Sequence, residues 1–218
     1  MMTLISNTIL WLHILAGFTA FLVAPGALVS RKGGTWHRRW GKIFFAAMTV
    51  VAISALLLTA IRPNTFLTLV ALFSFYSAFS GYRVLKRKRP DRGEHAKWFD
   101  WTAALITLSA GMGLLYLGFF GNPPGTPVFI IFGVISTLLA ARDIHSFLRR
   151  FDPTRHKYEW LYTHIGNMIG AYIAAVTAFA VVNLDFLPML MRWLLPTLIG
   201  SPLIFLWIRS YRKKFAAR

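Results

Sequence analysis

The chain has 218 residues, 56% of them hydrophobic, with a formal net charge of +17 and no cysteine. A soluble domain of this length buries one core and does not need several apolar runs of about twenty residues, so the composition favours a multi-pass membrane protein. Without cysteine there are no disulfides, thiolate nucleophiles, Cys-ligated zinc sites or cysteine-held iron–sulfur clusters.

Taken in order, seven apolar segments are long enough to cross a hydrocarbon core of about 30 Å. They span roughly residues 8–29, 40–61, 65–85, 99–120, 128–147, 160–182 and 190–211. A backbone in lipid must satisfy its own hydrogen bonds, and runs this long and continuous do so as helices. The N-terminal stretch lacks a basic n-region and is expected to begin the first spanning helix. Between the segments lie Pro/Gly/Asn turns at Arg62-Pro63-Asn64, from Gly121 through Pro127, and from Asn183 to Pro188. Such turns end helices and leave no room for an extra domain, so residues 1–218 are expected to form a single transmembrane domain.

The Lys and Arg residues concentrate on one side, in alternate connections between segments. All but Arg62 and Arg192 fall after the first, third and fifth segments or at the C-terminus, including Arg218. Positive charge is retained in the cytoplasm, which predicts an outer N-terminus and a cytoplasmic C-terminus in the cytoplasmic (inner) membrane. The same clusters are expected to meet anionic lipid head groups; being short and set between spans, they do not suggest nucleic acid. The overall expectation is an all-α, seven-helix transmembrane bundle. Units resembling His37-Arg-Arg-Trp40 recur at His95-Ala-Lys-Trp98 and His156-Lys-Tyr-Glu-Trp160. This period suits one helix followed by three helical hairpins, or simply a shared need for Trp and basic groups at the interface.

Polar groups inside spans are energetically expensive, which makes them candidates for function. His13 lies in the first span with Gly17, Ala20 and Ala24 on a small-residue stripe, before Pro25-Gly26 loosens the helix. It is either a ligand or proton site, or a packing contact to a neighbouring helix. On the basic side, Asp100 opens the fourth span, Asp143 and His145 end the fifth, and His164 with Asn167 lies near the start of the sixth. At 1.5 Å per residue, Asp100, His145 and His164 lie at similar depth, where they could converge on a divalent metal or a proton. If the fourth and sixth helices are neighbours, Asp100 and His164 would form a hydrogen-bonded pair. In the bland alternative, Asp100 faces its own helix dipole, Asp143 pairs with a nearby Arg, and the histidines are solvated. Small residues such as Ser80 and Gly81, Thr107 and Gly111, and Gly133 and Thr137 either let helices approach or line a polar cavity. No G-x-S-x-G elbow and no H-E-x-x-H motif is present.

Leu12-His13-x-x-x-Gly17, Lys32-Gly33, His37-Arg38-x-x-Gly41 and Ser74-Phe-Tyr76-x-Ala78-Phe-x-Gly81-Tyr82-Arg83 resemble a family of bacterial multi-pass membrane proteins catalogued as a domain of unknown function. The resemblance covers the first half and extends through His164-x-x-x-Met168-x-Gly170-Ala-Tyr172. It implies a bacterial cytoplasmic-membrane protein and brings no established activity. His37-Arg38-x-x-Gly41 is also similar to b-haem ferric-reductase-type membrane domains. There the next helix supplies an axial His, whereas this chain offers Met48. The expected function is therefore binding or conduction of a small ligand through a polar cavity between helices. A haem- or metal-dependent redox enzyme built on the inner His/Asp groups is the alternative.

Overall fold

The computed structural model describes residues 2–216; Met1 and the terminal Ala217 and Arg218, the last counted above among the C-terminal basic residues, lie outside them. Among the described residues there are seven α-helices and no strand. They are α1 (Met2–Val29), α2 (Thr35–Ile61), α3 (Thr65–Arg83), α4 (Trp98–Phe120), α5 (Thr126–Leu148), α6 (Glu159–Asn183) and α7 (Met189–Ala216). All seven are long and apolar enough to cross a membrane, so the protein is a multi-pass membrane protein. Short 3₁₀ turns at Val84–Lys86 and Pro90–Arg92 interrupt the α3–α4 connection. The chain divides into two compact units within α3, the first ending at Phe75 and the second starting at Tyr76.

In the first unit α1 packs along α2. The contact face is small: Ala16, Ala20 and Ala24 are buried at helical spacing. Gly17 is not part of this face, since a Cβ there would meet open space. Pro25 does not end α1, which continues to Val29. One lost backbone hydrogen bond is tolerable in a spanning helix whose neighbours supply other partners. Gly26 serves a different purpose, because an added Cβ would lie 3.1 Å from the Trp40 indole. The connection is shorter than the sequence suggests. Gly33 turns with φ +74° and α2 already starts at Thr35, so His37 and Trp40 belong to its first turns. From there the His37 Nδ1 lies 2.9 Å from the Ala27 carbonyl oxygen.

In the second unit α4 pairs with α5 and α6 with α7. Glycines bring α4 and α5 together. A Cβ on Gly111 would lie 2.7 Å from the Thr137 backbone nitrogen, and one on Gly133 would lie 2.9 Å from that of Leu115. The Ser136 hydroxyl donates across this seam to the Thr107 carbonyl at 3.1 Å. The small residues singled out in these two helices therefore permit close approach, and van der Waals packing is what lipid leaves to hold helices together. Gly81 does the same for α3 and α6, with Met168 N only 3.1 Å from its would-be Cβ. That approach sets the geometry of the site.

Candidate functional site

Along α3 and its 3₁₀ extension, Tyr76, Ser80, Arg83 and Arg87 recur at spacings of four, three and four residues. This is the period of one helical face, so a polar stripe runs up an otherwise apolar helix and onto its basic end. The stripe meets two carboxylates.

The first is Asp143, near the end of α5 and only 3% exposed. Its Oδ2 accepts the Tyr76 hydroxyl at 2.9 Å and also the Ser80 hydroxyl. Its Oδ1 accepts Arg142 Nη2 at 3.1 Å. Asn167 of α6 closes a ring: its Nδ2 donates to Ser80 Oγ at 3.0 Å, and its Oδ1 accepts Arg142 Nη2 at 2.8 Å. Asp143, Ser80, Asn167 and Arg142 thus bond in a circle that ties α3, α5 and α6 together. Every neighbour donates to Asp143, which acts as acceptor throughout. Buried polar networks are stable only when their members are satisfied in this way.

The second carboxylate is Asp100, in the first turn of α4 and 1% exposed. Arg83 grips it through Nε and Nη2, each at 3.0 Å, and the Lys97 backbone N–H donates to it at 2.9 Å. The planar guanidinium fork matches the two carboxylate oxygens, and the helix N-terminus adds its own positive end. Arg83 also lies over the Phe99 ring at 4.5 Å.

Arg87 lies within electrostatic reach of both carboxylates and of Tyr76. Burial makes its guanidinium less basic than usual, and Asp100 and Asp143 act in the opposite direction. It packs over Phe147 at 4.6 Å and its Nη1 reaches only to 3.5 Å from Asp100 Oδ1. With Asp143 it lines a cleft of about 530 Å³ in the second unit. The α3–α4 connection contributes Lys88, Asp91, Glu94 and His95 to this cleft, while Arg149, Arg150, His156 and Glu159 come from the α5–α6 side. Among these groups Arg149 pairs with Glu159, Asp91 with Arg89 at 2.9 Å, and Lys88 lies 4.5 Å over the Trp160 ring. Burial, followed by the positive charge of Arg149, lowers the pKa of His156, whose Nδ1 accepts the Asp152 N–H at 2.9 Å.

The residues expected from the sequence are distributed unevenly. Asp143 and Asn167 share one network. His164 borders it, its Nδ1 lying 2.8 Å from the carbonyl oxygen of Gly81, the residue after Ser80. Asp100 is bound by Arg83, Arg87 and the Lys97 backbone, and His164 is not among its partners. His145 is exposed on α5. No group of three or more His, Cys, Asp or Glu residues suited to a metal ion occurs among the described residues, so His145, His164 and Asp100 do not form such a set. His13 belongs to the first unit, where its Nδ1 lies 3.0 Å from Ser54 Oγ and 3.2 Å from the Val51 carbonyl oxygen of α2. Sequence reasoning missed Tyr76, Arg83, Arg87 and Arg142 as site members. Their signal was the 76–80–83–87 periodicity, which becomes visible only when hydroxyls and cations are counted together.

No curated protein and no solved structure matches the chain. A family model described as "Predicted membrane protein (DUF2306)" matches residues 10–120. This range covers α1 to α4 from residue 10 onward, including the α3 stripe and Asp100. The chain belongs to the DUF2306 family of membrane proteins.

Proposed function

We propose that this protein binds a small polar ligand entering the cleft from the basic ends of its helices, with Arg87 and Asp143 at the floor. The observation behind this reading is the position of two buried carboxylates and the arginines around them. Two carboxylates and three guanidinium groups are held by α3, α4, α5 and α6, and the array meets a cleft large enough for a metabolite-sized molecule. Charged groups in spanning helices are costly, and where they meet an open cleft they mark a ligand or ion path. Conduction through the bundle is the stronger form of the same idea, with the polar stripe of α3 as the inner part of the route.

In this reading the basic ends face the cytoplasm, the protein sits in the inner membrane, and the Lys and Arg clusters touch anionic head groups. The lack of native cysteine makes the orientation easy to test. Single cysteines placed at Asn64 or Asn122 should react with an impermeant maleimide from outside intact cells, and one at Arg89 should not; the reverse pattern overturns the orientation. Binding is tested on the purified protein in detergent through tryptophan-monitored thermal unfolding, with choline, glycine betaine, citrate and inorganic phosphate as probes. At least one should raise the midpoint saturably in the wild type and lose that effect when the oppositely charged floor residue is neutralised, Arg87→Gln for citrate and phosphate and Asp143→Asn for choline and betaine. A flat response to all four would remove the ligand-binding reading.

A further inference from the structure

The side chain of Arg87 is 8% exposed, and its Nη1 is buried without a hydrogen bond. The acceptors closest to it are already engaged. Asp100 holds the Arg83 fork and the Lys97 N–H, while Asp143 holds Tyr76, Ser80 and Arg142. Stacking on Phe147 and the longer ion pair to Asp100 fix the guanidinium in place without filling its donors. A buried donor left unmade carries the full cost of its desolvation, and an oxyanion presented in the plane of the guanidinium would remove that cost.

The remainder of the cleft favours the same charge. Its acids Asp91, Asp143 and Glu159 are each paired with an arginine, and Glu94 accepts the Arg89 backbone N–H at 2.9 Å. Arg150 is exposed and forms no ion pair among the described residues. The ammonium of Lys88 rests on the Trp160 face. Because the His156 Nδ1 accepts a hydrogen bond, its ring proton sits on Nε2, available as a neutral donor. These donors belong to two separate segments, the α3–α4 and the α5–α6 connections. Together they suit a multi-oxygen tetrahedral anion better than a planar carboxylate, which a single arginine fork would satisfy.

We propose that the cleft is a phosphoryl-binding site, with Arg87 as its buried anchor and Lys88, Arg150 and His156 at its rim. The ligand is a phosphate monoester or free phosphate, and the group is presented either by a lipid head group or by a soluble molecule. This inference rests on the cleft being a ligand site and adds the chemical class. About 530 Å³ exceeds what a bare phosphate needs, which leaves space for the group that carries it.

The test uses the full chain purified in maltoside without phosphate, followed by tryptophan-monitored unfolding. Sodium phosphate should raise the midpoint saturably, whereas acetate and chloride at matched ionic strength should not. A parallel arm compares nanodiscs of phosphatidylcholine alone with nanodiscs containing phosphatidic acid. Stabilisation by phosphatidic acid alone assigns the group to a lipid, and stabilisation by phosphate assigns it to a soluble ligand; both support the site. Arg87→Gln should weaken the response at least about tenfold, the loss of one charge-assisted anchor. If that variant fails to fold, the rim variant K88Q/R150Q decides, with a weakening of several-fold expected. Equal stabilisation by acetate, or an unchanged response in both variants, overturns the proposal. If choline or betaine stabilises the protein while phosphate in either form does not, the phosphoryl assignment falls and the ligand-binding reading stands. If nothing binds, both fall.

Discussion

The two units handle buried polarity in opposite ways. In the first, His13 reaches a serine hydroxyl and a carbonyl of α2, beside a face of Ala16, Ala20 and Ala24. Ser54 donates to its own helix at Val50 and Val51, so the polar contact is confined to α1 and α2 and is satisfied. In the second, Asp143 and Asp100 are held by arginines and hydroxyls, with α3 reaching both carboxylates, and Arg87 retains a buried, unfilled nitrogen. A single satisfied contact on a small-residue seam is sufficiently explained by packing. Packing alone does not require charges from several helices with one donor left open, and this difference places the candidate site in the second unit.

The largest effect should come from Asp143→Ala. It leaves the Tyr76 and Ser80 hydroxyls without their acceptor, both on residues that are 2% exposed. The expected loss is about 3 kcal/mol, read from denaturant or thermal unfolding in detergent. A cycle with Tyr76→Phe should show coupling, because the two side chains share a hydrogen bond. Simple additivity would dissolve the network and much of the contrast between the units.

Gly111→Val should come next. The new side chain would be driven into Thr137, whose Oγ1 lies 2.6 Å from the would-be Cβ, and the overpacking should cost about 2 kcal/mol. The loss should appear as a lower midpoint with no change in probe selectivity, which distinguishes a packing seam from a binding residue.

His13→Phe sharpens the comparison from the other side. Hydrogen bonds between spanning helices average below about 1 kcal/mol, so the midpoint should fall only slightly and every probe response should survive. A lost ligand response in this variant would move the site to the first unit and break the contrast.

The smallest effect concerns pH. Burial and Arg149 lower the pKa of His156 below its usual 6.5, so the folded loop favours the neutral ring. The corresponding stability is present above about pH 6.5 and is lost as the pH falls below it, because the unfolded chain takes up the proton first. Amide exchange at Asp152, whose N–H the ring accepts, should quicken from pH 7.5 to pH 5.5 beyond the intrinsic trend, and His156→Gln should remove that excess.

The sequence by itself determined the number and approximate limits of the helices, since crossing a bilayer demands long apolar runs and the Pro/Gly/Asn turns between them are local chemistry. It also marked Asp143 and Asn167, because a carboxylate or amide within an apolar run is conspicuous wherever its partners lie. Tertiary structure decided the pairing. Asp100 and His164 stood at similar depth in the sequence reading, yet Asp100 is bound by Arg83 and Arg87, and His164 meets a backbone carbonyl exposed by the close approach at Gly81. Likewise Pro25-Gly26 reads as a loosening of the first span, yet α1 runs on to Val29, with Gly26 leaving space for Trp40 of the packed α2. Depth along a helix can be counted from residue numbers, whereas the direction a side chain faces depends on rotation about each helix axis. That rotation is set by which small residues let which helices touch.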